Sequence, residues 1–282
     1  MLFCFQPLNS CPTSTWTQYF QDNEVVAQIN RDVRRLCPEI SFFQMATDYP
    51  CKLLQEHNVE PLSRRVNNVL LESEVLVKNR SGTTNLVNSR KLAVEEYACL
   101  SNGQEAHWQV VERILFVYAK LNPGVKYVQG MNEILGPIYY VFASDADNEW
   151  RKFAEADTFF CFQNLMSEIR DNFIRTMDDS SLGIEFRMKT LFEKLRLKDE
   201  KVYNHLTISQ QLLPQYFAFR WISLMLSQEF LLPDVIRIWD SIFCSDRKLD
   251  FLIDVCLQMI LNIRDKLLLN DFSGNMRLLQ VI

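Results

Sequence analysis

Seven glycines in 282 residues are too few for a β-rich fold, whose hairpins and tight turns repeatedly need the positive φ that glycine takes without steric cost. Apolar residues instead recur at helical spacing along most of the chain, so an all-α architecture is expected. Val25, Val26, Ile29, Val33 and Leu36 outline the first helix, with Asp22 as its cap and Pro38 as its stop. Residues 1–21 then read as an irregular N-terminal segment and 22–282 as one domain. A second helical pattern lies near 61–78. Residues 79–104, with Asn79-Arg80-Ser81-Gly82 and Ser101-Asn102-Gly103, show little periodicity and read as a mobile insertion. Beyond it, helical patterns follow at about 105–121, 131–143, 151–171, 184–196, 198–206, 214–228, 233–243, 249–265 and 273–280. The stretch 131–143 is almost uncharged, so that helix belongs inside the domain. No repeat of fixed period is visible, which argues against a helical-repeat scaffold.

The remaining composition mostly excludes. A net charge of −5 and a pI near 5.4 argue against nucleic acid as a partner, since phosphates call for a basic footprint. The longest uncharged apolar run, 134–144, is about half of the ~20 residues that a membrane span needs. The first residues lack a basic region ahead of their apolar run, so no signal peptide is expected. The eight cysteines are scattered without a C-x-x-C pair and are read as buried free thiols of a cytosolic protein rather than a disulfide framework.

Few residues suggest chemistry. His57, His107 and His205 are far apart, so no metal site is expected, and there is no phosphate-binding glycine loop and no nucleophile elbow. The acidic pairs Glu155 with Asp157 and Asp178 with Asp179 are read as solvated helix faces or caps. Two segments stand apart. In Ile29-Asn30-Arg31-Asp32-Val33-Arg34-Arg35, the residues Ile29, Asp32 and Arg35 share one helical stripe, so Asp32 could brace the Arg35 guanidinium. An ordinary surface ion pair worth a few tenths of a kcal/mol fits that spacing equally well. In Asn122-Pro123-Gly124-Val125-Lys126-Tyr127-Val128-Gln129-Gly130-Met131-Asn132-Glu133, a turn leads to a helix start with Gln129 at the junction. That glutamine is either part of a helix N-terminus behind an aromatic plug or a presented amide able to orient water. Composition does not separate the two.

Together these segments resemble the two defining motifs of the TBC family of Rab GTPase-activating domains, I-x-x-D-x-x-R (Ile29, Asp32, Arg35) and Y-x-Q-G (Tyr127, Gln129, Gly130, extended by Asn132). A third stretch, with Arg220 and Trp221, then Gln228-Glu229-Phe230, then Arg237, Trp239 and Asp240, resembles the family's third signature in the same order. The resemblance implies an all-α, V-shaped, two-lobed domain. It implies that Arg35 and Gln129 are catalytic in trans on a GTP-bound Rab small GTPase, with Ile29, Asp32, Tyr127, Gly130 and Asn132 supporting them. Arg220, Trp221, Arg237, Trp239 and Asp240 would hold one lobe together through packing and buried ion pairs. On this reading the protein is not an enzyme with its own substrate chemistry and has no cofactor of its own, GTP and Mg²⁺ being carried by the Rab. It would be cytoplasmic, peripheral to Rab-bearing membranes, touch membrane only through the Rab, and regulate vesicle trafficking. A Rab-binding or scaffold module without turnover is the alternative, and the presence of both finger residues favours catalysis. The family's R-x-x-x-W motif has no match before Trp16, and the last apolar pattern stops at Leu278-Leu279-Gln280-Val281-Ile282, so the domain is expected to be clipped at both ends.

Overall fold

The structure, a computed structural model, describes residues 14–53, 61–63, 65, 100, 104–173 and 183–280, excepting the side chain of Trp16. Most of the helix expected at 61–78, most of the insertion expected at 79–104, and Asp178 and Asp179 lie outside these residues. Among the described residues the secondary structure is helical, with one isolated antiparallel bridge, Ala46 to Ala106, as the exception.

The first helix, α1 (Thr15–Val33), begins seven residues before the expected Asp22. Ser14 is the reason: its hydroxyl accepts the Thr17 N–H at 3.2 Å, satisfying one of the donors that every helix start leaves orphaned. Of the segment 1–21 expected to be irregular, residues 15–21 are helical, and Asp22 therefore lies inside the helix. Its carboxylate instead receives Lys120 Nζ at 2.9 and 3.0 Å. Lys120 belongs to α2 (His107–Leu121), against which α1 packs. Val26, Ile29 and Val33 from α1, with Val111 and Leu115 from α2, are fully buried. After α2 come α3 (Met131–Ala143), α4 (Asn148–Arg151) and α5 (Ala154–Ile169). The α3 bounds are those read from its apolar pattern.

The described residues form two compact units. One comprises the chain through residue 132 together with 142–155, and the other comprises 133–141 and 156–282. In the second unit, α6 (Ile184–Lys198), α7 (Glu200–Asn204), α8 (Ala218–Ser223), α9 (Leu232–Phe243), α10 (Lys248–Asn262), α11 (Arg264–Leu269) and α12 (Phe272–Gln280) follow in order. The helix expected at 214–228 is cut short at Ser223 because Met225 and Leu226 take φ of 52° and 65°. That turn presents the Met225 carbonyl to the Trp239 indole N–H at 2.8 Å.

The third signature divides into two kinds of residue. Trp221 and Trp239 are buried, and Arg220 makes a bidentate pair with Glu229 at 2.6 and 2.9 Å while also donating to the Gln280 carbonyl. Arg237 and Asp240, expected in buried ion pairs, are exposed instead. The apolar residues of α9 explain this: Leu232, Val235, Trp239 and Ile242 form its buried stripe, and positions 237 and 240 fall outside it. Among the five described cysteines all are free thiols, but only Cys256 is buried, while Cys161 and Cys244 are exposed. The expectation of buried thiols holds at one position.

Replacing Trp239 by Phe removes the bond to Met225 and part of a buried ring. It should cost on the order of 2 kcal/mol, whereas Arg237→Ala should stay within about 0.5 kcal/mol. Urea denaturation followed by circular dichroism measures both, and equal losses would overturn the assignment of Arg237 to the solvent face.

Candidate functional site

The last turn of α1 tightens before it ends. Arg35 N–H donates to the Asp32 carbonyl at 3.0 Å and Leu36 N–H to that of Val33 at 3.3 Å, both three-residue spans. Cys37 follows at φ 42°, a left-handed conformation outside the right-handed helical region that Pro38 disfavours for the residue before it. The helix ends at Val33, ahead of Leu36 and of the stop expected at Pro38. Leu36 is fully buried and pins the turn. Arg35 sits between these anchors with its side chain exposed. The stripe read from the sequence therefore holds for Ile29 and Asp32, while Arg35 has already left the helix.

The second segment is built by turns. Asn122 closes α2, its own N–H and side-chain amide both donating to the Tyr118 carbonyl at 2.9 Å. Its carbonyl accepts from Val125 and Lys126 at 3.0 and 2.8 Å, and Lys126 takes φ 60°. Met131 N–H donates to the Val128 carbonyl at 3.1 Å, spanning Gln129 and Gly130. Gly130 has φ 100°, where a side chain would be strained, which is the physical reason for glycine after Gln129. Gln129 is exposed at the tip of this turn, just before α3.

Asp32 joins the two segments. Its carboxylate accepts the Tyr127 hydroxyl at 2.7 Å across 95 positions of sequence, and its backbone carbonyl receives the Asn132 amide at 3.4 Å. Asn132 Oδ1 also lies 3.4 Å from the Tyr127 hydroxyl. Tyr127 and Asn132 are 6% and 2% exposed and Asp32 is half-buried, so the junction lies largely beneath two solvent-facing tips. Asp32 therefore bonds to Tyr127, not to the Arg35 guanidinium as its spacing suggested. Ile29, one turn earlier, is fully buried and seats this end of α1 in the core.

A further buried pair lies behind the junction. Asn30 Nδ2 donates to Glu112 Oε1 at 2.6 Å, and the two residues are 4% and 1% exposed. Sequence reading passed over Glu112, although a carboxylate four residues after Trp108 and three before Leu115, on the apolar face of α2, was the available signal. Burial raises its pKa to about 7, against the opposing effects of the Asn30 bond and the Arg34 and Arg113 charges, while Glu105 adds to the rise. On the same helix His107, stacked on Phe42 at 4.1 Å, is lowered to about 4 by burial despite Asp48 and Glu105 nearby. Glu155, expected on a solvated face, instead receives Arg113 at 2.6 and 2.8 Å, and Arg113 also pairs with Glu105. The Glu155 side chain stays 38% exposed, so the solvated face it was expected on is one that also carries an ion pair.

The family profile of the Rab-GTPase-TBC domain matches residues 98–268, which include the Gln129 turn and the third signature. The chain belongs to this family. It is 58% identical over 280 residues to human TBC1 domain family member 13, covering 97% of this chain and 70% of that protein, and equally similar to the mouse protein of that name. A TBC domain-containing protein of Schizosaccharomyces pombe is 34% identical over 340 residues, covering 97% of this chain and 55% of that protein. The crystal structure of the Ypt/Rab-GAP domain of Gyp1p superimposes with a TM-score of 0.63 at 22% identity, covering 93% of this chain and 67% of that one, which establishes the shared fold.

Glu112 and His107 give stability opposite pH slopes. The Glu112 proton is bound more tightly in the folded chain, so its contribution is complete below the ordinary value of 4.5 and is lost as pH rises through about 7. His107 favours the neutral ring, so its contribution is complete above 6.5 and is lost as pH falls toward 4. Each amounts to roughly 3 kcal/mol by linkage, so the wild type should be nearly flat between pH 4.5 and 6.5. Glu112→Gln should leave the histidine slope uncovered, with stability rising over that window. Urea denaturation at half-unit pH steps reads this, and a variant curve parallel to wild type would refute the assignment.

Proposed function

We propose that this domain accelerates GTP hydrolysis on a Rab-family small GTPase, inserting Arg35 and Gln129 in trans. The observation that carries the reading is the Tyr127–Asp32 bond at 2.7 Å, which fixes the turn bearing Gln129 to the helix end bearing Arg35. Both tips are exposed above a buried base, the arrangement needed to complete another protein's active site. The Rab-GTPase-TBC family assignment supplies the partner class.

In this mechanism the Arg35 guanidinium enters the partner's site and neutralises charge developing on the phosphoryl oxygens. Arginine fingers of this kind contribute about 10³–10⁵ in rate. A planar, permanently charged fork matches phosphate oxygens, which a lysine ammonium does not. The Gln129 amide orients the attacking water. Asp32, Tyr127 and Asn132 hold the two tips, Gly130 gives the turn its backbone, and Ile29 seats the helix. The nucleotide and Mg²⁺ belong to the Rab, and no covalent bond to this chain forms or breaks. The domain would then act on Rab-bearing membranes from the cytoplasm, reaching them through the Rab and regulating vesicle trafficking. Among the described residues no helix is long and apolar enough to cross a membrane.

Arg35→Ala and Gln129→Ala should each lower stimulated hydrolysis by about 10³-fold across a panel of GTP-loaded Rabs, with helical circular dichroism retained, and Arg35→Lys should not restore it. Equal hydrolysis with wild type and Arg35→Ala would overturn the mechanism. Binding to a GTP-loaded Rab without stimulation by the wild type would establish a scaffold instead. Tyr127→Phe removes only the hydroxyl and should lower kcat by roughly tenfold with little change in KM. A change confined to KM would place Tyr127 in docking rather than in holding the tips.

A further inference from the structure

Arg34 and Arg35 are adjacent, equally charged and equally long. The helix end by itself does not dictate which of them faces the solvent, since both side chains lose similar entropy when held. The structure nonetheless sorts them. Arg34 is half-buried with its guanidinium carbon 5.2 Å from the centroid of the Trp108 ring, and its Nε is enclosed, while Arg35 is exposed. Trp108 and Glu112 are four residues apart on α2 and so share a face.

We infer that Glu112 is a positioning residue for Arg35: its buried carboxyl anchors the end of α1 through Asn30 and draws Arg34 inward, which leaves its neighbour as the arginine displayed. The inference rests on the proposed role of Arg35. The groups that face Glu112 are Asn30 and Arg34 from the end of α1, and Arg113 and Glu105 from its own side. Arg113 is bonded to Glu105 and Glu155, so its charge is largely answered there. Arg34 supplies the attraction that links the carboxyl to the finger turn. Without that attraction the residues after Val33 gain alternative conformers, and small displacements at a reacting centre cost large factors in rate.

Glu112→Gln separates the two contributions, since it keeps an acceptor for Asn30 and removes the charge. Its stimulated kcat at pH 8 should fall roughly three- to tenfold below wild type with KM within about twofold. The gap should close toward pH 6, because the wild-type carboxyl regains its proton through about 7 and the amide has none to regain. Comparing the two on one Rab cancels that protein's own titrations. At pH 8 the variant should be more stable yet slower, whereas a merely structural role would move stability and rate together. Arg34→Ala should lower kcat similarly, and the double variant should fall no further, the mark of one shared path. Arg35→Ala runs alongside at every pH. If it equals wild type, the finger reading itself fails. If it is inactive while Glu112→Gln tracks wild type at all pH values, or while the Glu112 and Arg34 effects multiply, the role assigned to Glu112 is overturned and the finger reading stands. Should Glu112→Gln fold poorly, a wild-type rate for Arg34→Ala overturns the role by itself.

Discussion

A tyrosine hydroxyl donates to a carboxylate at 2.7 Å, and through that bond a helix end and a loop 95 positions away become one surface. A charge-assisted bond of this kind is worth about 1.5–3 kcal/mol, more than a neutral one. It acts where the backbone is least regular. Cys37, Lys126 and Gly130 all have positive φ, and each marks a turn that leaves a regular helix or leads into one. Such turns hold a shape only when something outside them over-determines it. The Tyr127–Asp32 bond and the Asn132 bond to the Asp32 carbonyl do so from beneath, leaving the two tips clear of the core.

Behind this junction the first unit carries polar groups in its interior. Asn30 and Glu112 form one pair between α1 and α2, and His107, five residues before Glu112 at the start of α2, stacks on Phe42. Burial favours the neutral form of both ionisable groups, so their contributions to stability run in opposite directions with pH. The carboxyl is also close to Arg34, whose charge favours the ionised form. A buried acid balanced in this way couples the protonation of the core to the turn that carries Arg35. The second unit solves its polar problem differently. Its signature arginine, Arg220, is satisfied by Glu229 and a backbone carbonyl, and its tryptophan Trp239 by a carbonyl that a left-handed turn exposes.

Where the sequence pattern was strong and self-contained, it was legible. The apolar run of α3 gives its bounds, and the helical pattern expected at about 233–243 is α9 to within one residue. Misreadings arose where a boundary or an environment depended on something outside the periodic residues. The start of α1 was set by the Ser14 hydroxyl, and beyond Val33 the backbone changes to the three-residue bonds of Arg35 and Leu36 well before Pro38. The break after Ser223 has two consecutive left-handed residues with ordinary hydrophobic side chains, which no turn signal announces. Arg237 and Asp240 were expected in packing and buried ion pairs because they match the third signature on an apolar helix, yet the helix turns them outward.

Local pattern by itself determined the helical class, the positions of the stronger helices, and the order of motifs that points to a TBC domain. Those properties depend on residues three or four positions apart, whose relation a single chain displays directly. Tertiary structure alone decided that Asp32 answers Tyr127 rather than Arg35, that Glu112 answers Asn30, and that Arg34 turns inward while Arg35 does not. These choices pair residues 82 and 95 positions apart, and a carboxylate within reach of several donors takes the one that packing brings to it. The same two segments therefore read as ordinary helix ends in the sequence and as the two halves of one candidate site in the fold.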